Sequence, residues 1–297
     1  MGKRGDSIDG VLLFDKPQGM SSNQALQRVR SLVNAQKAGH TGTLDPMATG
    51  LLPLCFGNAT KFSADLLDAD KAYEARVKLG EVTTTGDAEG EVIQRRPVEV
   101  SLEDIERAAR DFVGQIEQVP PMYSALKHNG EALYELARRG ETVERASRQI
   151  TVYSLSIRDF DGEAFTLVTR VSKGTYIRVL AQDLGEALGC GAHLIGLRRT
   201  EVGDLTISDA VTLETLEACA TLEDVRAHLA SADRLLQTLP VITLSADGAD
   251  RLMKGQRLAL GSEIRGRARV YDPENQLLGT VMVNDRGVLQ PERLVAH

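Results

Sequence analysis

A single carboxylate stands in the most unusual loop of the sequence. The twelve residues from Gly39 to Gly50 read GHTGTLDPMATG, and Asp45 is the only acid among them. Pro46 disfavours helical geometry at the residue before it and has no N–H of its own. The glycines accept backbone angles that other residues avoid. The pattern therefore predicts a tight, shaped loop that carries Asp45.

Several kinds of chemistry could use a carboxylate in such a loop. A metal site needs two or more carboxylates or histidines at close spacing, and His40 is the one nearby candidate. A glycosidase needs a second carboxylate, which would have to come from elsewhere in the chain. A lone aspartate can act as nucleophile or general base when an arginine orients it. An Asp-Pro turn can also carry no chemistry, and the loop by itself leaves all of these open.

The composition is that of an ordinary globular protein. The 297 residues are 42% hydrophobic and 26% charged, and no apolar run is long enough for a membrane span. The first ten residues lack the apolar core of a signal peptide. The cysteines, Cys55, Cys190 and Cys219, have no paired spacing. This argues against a disulfide framework or zinc site and predicts a protein of the reducing cytoplasm.

The distribution of charge is uneven along the chain. The net charge is −7, which by itself speaks against a nucleic-acid partner. Residues 1–62 nevertheless hold seven Lys and Arg against four Asp and Glu, and residues 251–297 hold eight against five. Residues 63–118 concentrate the acid, with seven basic against fourteen acidic side chains. An acidic chain of this kind can still present one basic face.

Helices and strands must position the loop. The apolar run Val11–Phe14, followed by Lys-Pro-Gln-Gly, predicts a strand and a turn. Ser21 or Ser22 can cap the helix that follows. Residues 71–80, KAYEARVKLG, alternate apolar and polar side chains, which predicts a half-solvated strand. Residues 101–116 predict a helix with a capping-box spacing at its start.

Predicted strands and helices also follow one another over the rest of the chain. The sequence predicts a hairpin of two strands over residues 150–174, a helix over 175–192 that ends at a glycine, and an acidic helical stretch over 212–236. Residues 121–149 form a long excursion with five basic and four acidic side chains, and such insertions are usually functional or disordered. Residues 240–297 predict a small, mostly β appendage.

Taken together, the quoted stretches resemble the bacterial tRNA pseudouridine synthase B family. The resemblance is carried by the loop with its continuation to Phe62, and by further stretches that occur in the family's order over about residues 9–215. These read FDKPQGMSS, KAYEARVKLG, TTTGDAEG, QVPPMYSALKHNG, VSKGTYIRVLAQDLGEALGCGAH and LIGLRRTEVG. The C-terminal part matches more loosely and is similar to the shortened PUA-like domain of the family.

The resemblance implies a fold and a domain organisation. The implied fold class is α/β of the α+β kind: the pseudouridine synthase fold, a mixed and mostly antiparallel sheet with flanking helices. The catalytic domain would span residues 1–239, with an RNA-binding insert at about 121–149. A small β-rich, PUA-like domain would span residues 240–297.

The resemblance also implies an activity. Members of the family convert uridine 55 in the T-loop of tRNA to pseudouridine, and Asp45 matches their catalytic aspartate. Either this carboxylate attacks the nucleoside covalently, or it removes the ribose C2′ proton to give a glycal. Both routes need an ionised, partly buried carboxylate. Arg178 matches the arginine that pairs with the aspartate, and a guanidinium suits that pairing because it offers two parallel donors.

Four further residues match the family's site. Tyr73 matches the active-site tyrosine, whose ring can stack on the uracil and whose hydroxyl can take the C5 proton. His40 matches a histidine that contacts displaced T-loop nucleotides. Leu197 matches an apolar residue of the base pocket, and Lys16 matches a lysine whose role is more structural than chemical.

The implied partner is tRNA, recognised through its T-stem-loop, with the target base turned out of its stack. No metal and no organic cofactor are implied, because the reaction is an isomerisation without a group donor. We expect a cytoplasmic monomer with no membrane association and no obligate protein partner. The acidic composition departs from that expected of a tRNA-binding protein.

Overall fold

The computed structural model describes residues 5–295. The strands of the described part, in chain order, are β1 (Gly10–Lys16), β2 (Ala38–His40), β3 (Thr49–Phe56), β4 (Lys71–Leu79), β5 (Glu81–Thr83), β6 (Val92–Arg95), β7 (Gly114–Gln118), β8 (Lys127–His128), β9 (Glu131–Ala132), β10 (Arg148–Arg158), β11 (Ala164–Val171), β12 (Ala192–Val202), β13 (Leu205–Thr206), β14 (Val211–Thr212), β15 (Val241–Thr243), β16 (Leu258–Ala259), β17 (Gly266–Tyr271), β18 (Leu277–Val283) and β19 (Val288–Leu294).

The α-helices of the same residues are α1 (Ser22–Val33), α2 (Ser63–Leu67), α3 (Leu102–Arg110), α4 (Leu133–Arg138), α5 (Ile177–Ala187), α6 (Leu213–Glu217), α7 (Leu222–Arg226) and α8 (Ala246–Met253). Short 3-10 turns occur at Gly57–Lys61, Ile207–Asp209 and Ala232–Leu235. No helix within residues 5–295 is both long and apolar enough to cross a membrane.

The chain divides into two compact units. The first unit contains the described residues up to Asp45, residues 51–68 and the described residues from Asp204 onward. The second unit contains residues 46–50 and 69–203. The first unit is thus assembled from three separate stretches of sequence, whereas the second is almost continuous.

The second unit is built on the strand with the alternating pattern. Along β4, every second side chain from Lys71 to Leu79 is buried and those between are half-buried, as a strand with one face on the core requires. Antiparallel neighbours give the order β12-β4-β11-β10-β7. Helix α5 packs against β12, and α3 packs against β10. The predicted strand, the hairpin of β10 with β11, and the Ser101–Asp104 capping box are confirmed. The helix that follows this capping box is shorter than predicted, because it ends at Arg110 and the chain enters β7 at Gly114.

The excursion between β7 and β10 has its own small structure. Strands β8 and β9 form a two-stranded hairpin, and α4 follows directly. Leu133 and Leu136 are the buried side chains of that helix. The returning chain is held by Arg145, which donates from Nη1 to the carbonyl of Pro120 at 3.1 Å.

The first unit begins with β1, which pairs in parallel with β14, and it contains the pairing of β2 with β3. Ser21 is the N-cap residue of α1: its hydroxyl accepts from the Gln24 N–H at 3.2 Å, and the Gln24 side chain accepts from the Ser21 N–H at 2.8 Å. Helix α1 buries the stripe formed by Ser22, Ala25, Leu26, Val29 and Val33.

The C-terminal residues of the first unit form a separate five-stranded sheet. Its order is β15-β17-β18-β19-β16, and its core includes Leu252, Val270 and Leu289. Two hydrogen bonds join this sheet to the 3-10 turn Gly57–Lys61: Lys61 donates from Nζ to the Leu294 carbonyl, and Arg293 donates back to the Lys61 carbonyl, both at 2.7 Å.

The acidic stretch at 212–236 is less helical than its composition indicates. It forms α6, α7 and a 3-10 turn in place of one continuous helix. Thr221 starts α7 with a capping box to Asp224, because its hydroxyl accepts from the N–H of that residue at 3.1 Å. A side chain that caps a new helix stops the preceding one from running through it.

Gly50 has no room for a side chain. It pairs with Arg199 of β12, its φ is +102°, and a Cβ placed on it would lie 2.3 Å from the Arg199 carbonyl oxygen. Gly19 also has a positive φ of +85°, but its Cβ position is open.

We expect Gly50→Ala to lower the free energy of unfolding by about 3 kcal/mol or more, because backbone strain and a backbone clash add together. Gly19→Ala should cost only about 1–2 kcal/mol from the strain. Urea unfolding of the two variants measures the difference. Equal losses of unfolding free energy would show that the close approach of Gly50 to Arg199 does not make the substitution more destabilising.

Candidate active site

Asp45 lies on an irregular loop of the first unit, and the loop is anchored on both sides of it. Leu44 is buried, and Met47 and Ala48, which follow in the second unit, are buried as well. Asp45 itself is half-buried. The predicted shaped loop is confirmed, since no helix or strand includes residues 41–48.

His40 ends β2 at the start of this loop. Its Nδ1 accepts a hydrogen bond from the backbone N–H of Gly42 at 3.4 Å. A backbone N–H only donates, so Nδ1 carries no proton and the ring proton is on Nε2. The hydrogen bond to Gly42 therefore fixes one orientation of the ring at the start of the loop.

Lys16 is the buried cation of the first unit. It has no exposed surface, and Nζ donates to the carbonyls of Met20 at 2.6 Å and Pro17 at 2.9 Å. A buried ammonium needs such acceptors because desolvation of an unpaired charge costs several kcal/mol. Lys16 thereby closes the Lys-Pro-Gln-Gly turn that leads into α1, a structural task of the kind expected for it.

Tyr73 belongs to the second unit and faces its core from β4. Its register partner on β12 is Arg199, and Leu197 lies two residues before Arg199 opposite Ala75. Side chains two residues apart on a strand share a face, so Tyr73, Leu197 and Arg199 lie on one face of the sheet. Two of the predicted site residues, Tyr73 and Leu197, thus lie on the same face of the sheet.

Arg199 was not predicted and is the most buried arginine of that face, at 1% exposure. Its guanidinium donates a hydrogen bond to the phenol oxygen of Tyr73. Burial lowers the pKa of Arg199, and the contact with Tyr73 opposes this shift.

Arg178 lies at the start of α5, where its side chain ties three parts of the second unit together. Nη1 donates to the Thr85 carbonyl at 3.0 Å and Nη2 to the Tyr123 carbonyl at 2.7 Å. Nε lies 3.5 Å from Oδ2 of Asp87, and both side chains of this pair are about 5% exposed. These contacts fix the plane of the guanidinium.

Asp87 is the second residue that the sequence analysis missed. Its Oδ1 accepts from the Thr85 hydroxyl at 2.6 Å and from the Glu89 N–H at 3.1 Å. The stretch TTTGDAEG is one of the motifs that carry the family resemblance. Nothing in the sequence distinguishes its aspartate from the other acidic residues of 63–118. Its burial beside Arg178 is what distinguishes it.

Two other kinds of chemistry, a metal centre and a reactive thiol at Cys55, can be compared with the described residues. Within residues 5–295, no group of three or more His, Cys, Asp or Glu is placed to hold a metal ion. Cys55 is buried, and burial raises the pKa of its thiol to about 12, which makes it unreactive at neutral pH.

Three family models match consecutive parts of the chain. Residues 30–177 match the TruB family pseudouridylate synthase N-terminal domain, and residues 178–237 match the tRNA pseudouridylate synthase B C-terminal domain. Residues 240–295 match the model described as pseudouridine synthase II TruB, C-terminal.

Curated proteins similar to this chain over nearly its whole length bear one name, tRNA pseudouridine synthase B. The protein of Cupriavidus metallidurans is 57% identical and that of Ralstonia nicotianae 58%, each over 97% of this chain and 94% of the relative. The protein of Burkholderia mallei is 55% identical over 97% of both chains.

Solved structures share the fold. A chain of a Cbf5-Nop10-Gar1 complex matches 96% of this chain and 84% of its own length, with a TM-score of 0.74 at 24% identity. A chain of an H/ACA RNP bound to a substrate RNA containing 2′-deoxyuridine matches 97% and 85%, also with a TM-score of 0.74, at 22% identity. The mixed α+β fold class expected from the sequence, with a β-rich C-terminal part, is confirmed.

The buried pair of Arg178 and Asp87 gives a test of stability. We expect Asp87→Asn to lower the free energy of unfolding by about 3 kcal/mol, because the substitution removes a buried carboxylate charge that lies 3.5 Å from the buried guanidinium. Glu74→Gln should cost less than about 1 kcal/mol, since its 2.8 Å pair with Arg158 is about half exposed. Urea unfolding checks both. Similar losses would mean that burial adds nothing to the Arg178 pair.

Proposed function

The chain belongs to the TruB family of pseudouridylate synthases, and from this premise we propose that it converts uridine 55 in the T-loop of tRNA to pseudouridine. The observation that carries the proposal is identity of 55–58% to tRNA pseudouridine synthases B over 97% of the chain. In the reaction the bond from uracil N1 to ribose C1′ breaks and a bond from C5 to C1′ forms. N1 gains a proton and C5 loses one, so no cofactor is required.

Asp45 is proposed as the catalytic carboxylate. A carboxylate on a loop with buried residues on either side is held in one place, which a reaction at the ribose or the uracil ring requires. Thr49, four residues after Asp45, pairs with Arg198 of β12 and donates to the Leu197 carbonyl at 3.4 Å. The segment that follows Asp45 is therefore hydrogen-bonded to the strand that carries the proposed pocket residue.

Arg178 is proposed to pair with Asp45 and to keep it ionised. The contacts to Asp87 and to two carbonyls support this role because they fix the guanidinium plane before any substrate binds. A preorganised donor costs no reorganisation during the reaction. Lysine would serve poorly here, since it cannot present a rigid planar fork.

Tyr73 is proposed to stack on the target uracil and to receive the C5 proton. Its register partner Arg199 places a buried guanidinium beside the phenol oxygen. Leu197, on the same sheet face, supplies apolar surface for the base. His40 is proposed to contact the nucleotides displaced when the target base leaves its stack.

The domain organisation is proposed to follow that of the family. Residues 1–239 would form the catalytic domain and about 121–149 its RNA-binding insert, which orders further on the T-stem-loop. Residues 240–297 would form the PUA-like domain, and the separate sheet and core of β15 to β19 support that boundary. The enzyme would work as a monomer in the cytoplasm, where its tRNA substrate is found.

The central test uses a T-stem-loop RNA with tritium at C5 of its uridines. We expect wild-type protein to release tritium, in the presence of EDTA as well, and to release none when the target uridine is replaced by cytidine. Asp45→Asn should abolish release, because an amide can neither attack nor accept a proton, while RNA binding stays within about twofold.

The control is Asp285→Asn, an exposed turn acid that should behave as wild type. Continued turnover by Asp45→Asn would refute the assignment of this carboxylate. Binding by wild type without any release would instead indicate an RNA-folding protein that lacks catalysis, and loss of activity in EDTA would point to a metal-dependent hydrolase.

Tyr73→Phe separates stacking from proton transfer. The ring remains, so RNA affinity should stay within about twofold, whereas the rate of tritium release should fall at least about 10-fold through loss of the hydroxyl. Tyr153→Phe is the matched control, since this exposed tyrosine also loses a hydrogen bond, from its hydroxyl to Asp70 at 3.1 Å. An unchanged rate for Tyr73→Phe would exclude the hydroxyl from the reaction.

A further inference from the structure

Ser22 occupies an unexpected place on its helix. It is the first residue of α1 and lies on the buried stripe that otherwise consists of alanine, leucine and valine. It is 2% exposed. A buried hydroxyl needs hydrogen-bond partners, and the N-cap role is already taken by Ser21. The stripe position of Ser22 therefore requires a partner outside its own helix.

That partner is the residue directly before Asp45. The Leu44 N–H donates to Ser22 Oγ at 2.7 Å, and Ser22 Oγ donates to the Leu44 carbonyl at 3.1 Å. One hydroxyl thus satisfies both backbone groups of a buried residue 22 positions away. Threonine and serine are the small side chains that can donate and accept from a single atom in this way.

These two bonds determine where Asp45 is held. The carbonyl of Leu44 belongs to the same peptide plane as the N–H of Asp45, so Ser22 fixes the plane on one side of the aspartate. On the other side Pro46 restricts Asp45 to extended geometry. The backbone of Asp45 is then constrained from both directions, and the main remaining freedom is that of its side chain.

We propose that Ser22 is a positioning residue for Asp45, which it holds through the backbone of Leu44 at the distance that the reaction requires. The inference rests on the proposed function, because it assigns Asp45 the catalytic role. Without the hydroxyl, the N–H and carbonyl of Leu44 are left buried and unpaired, and the loop shifts to satisfy them. A displacement of about 1 Å at a reacting group can reduce the rate about 100-fold.

The test compares two adjacent serines. In a single-turnover tritium-release assay with enzyme in excess, Ser22→Ala should react about 10- to 100-fold more slowly than wild type, with RNA affinity within about twofold. Ser21→Ala removes the helix cap and should lower the melting temperature while the rate stays within about twofold. Equal rate losses for the two variants, or a wild-type rate for Ser22→Ala, overturn the proposal.

A second pair of variants tests the proposal if Ser22→Ala does not fold. Ser22→Thr and Ser22→Val have the same shape and differ only in the hydroxyl. The threonine variant should react at least about 10-fold faster than the valine variant, and equal rates overturn the proposal. An inactive wild type would overturn the proposed function and the role of Ser22 together, whereas an active wild type with an unimpaired Ser22→Ala overturns the role of Ser22 alone.

Discussion

Positive charge that is buried inside the protein constrains the surrounding structure more than any other feature. Lys16, Arg178 and Arg199 are each less than 5% exposed. Water cannot solvate them, so the chain must bring oxygen atoms to them. The oxygens come from backbone carbonyls, from the Asp87 carboxylate and from the Tyr73 phenol. Lys16 and Arg178 thus hold irregular stretches of chain, which have no strand pairing of their own, in a defined arrangement, whereas Arg199 joins two strands that are already paired.

This constraint explains how loops without regular structure can carry precise chemistry. Lys16 holds the turn that starts α1, the start of α1 places Ser22, and Ser22 holds the residue before Asp45. Arg178 is held in the same manner by two separate segments of the second unit, the one with Thr85 and Asp87 and the one with Tyr123. In both cases a polar side chain supports a loop through the backbone of that loop.

Features that depend on neighbouring residues could be predicted from the sequence, whereas contacts between distant residues could not. The alternation of β4 and the capping box at Ser101 involve neighbouring residues, and both are confirmed. The capping box at Thr221 was equally local, but the acidic, helical composition around it concealed it. The pairing of Tyr73 with Arg199 depends on strand register across more than 120 residues, which periodicity does not reveal. The site residues themselves were predicted from the family resemblance, whereas their supports Ser22 and Asp87 emerged only from the contacts.

The three-part composition of the first unit has a consequence for biosynthesis. Strand β1 pairs through Val11 with Ala230 and through Phe14 with Val211. A ribosome that adds 5–20 residues per second needs roughly 10 to 40 s to produce the partner of a strand made at the start. During that interval β1 has its early neighbour β3 on one side, but its other edge lacks β14, while residues 69–203 already suffice for most of the second unit. The nascent polypeptide therefore carries an open strand edge near its beginning for most of its synthesis, and a chaperone acting near the exit tunnel would shield that edge.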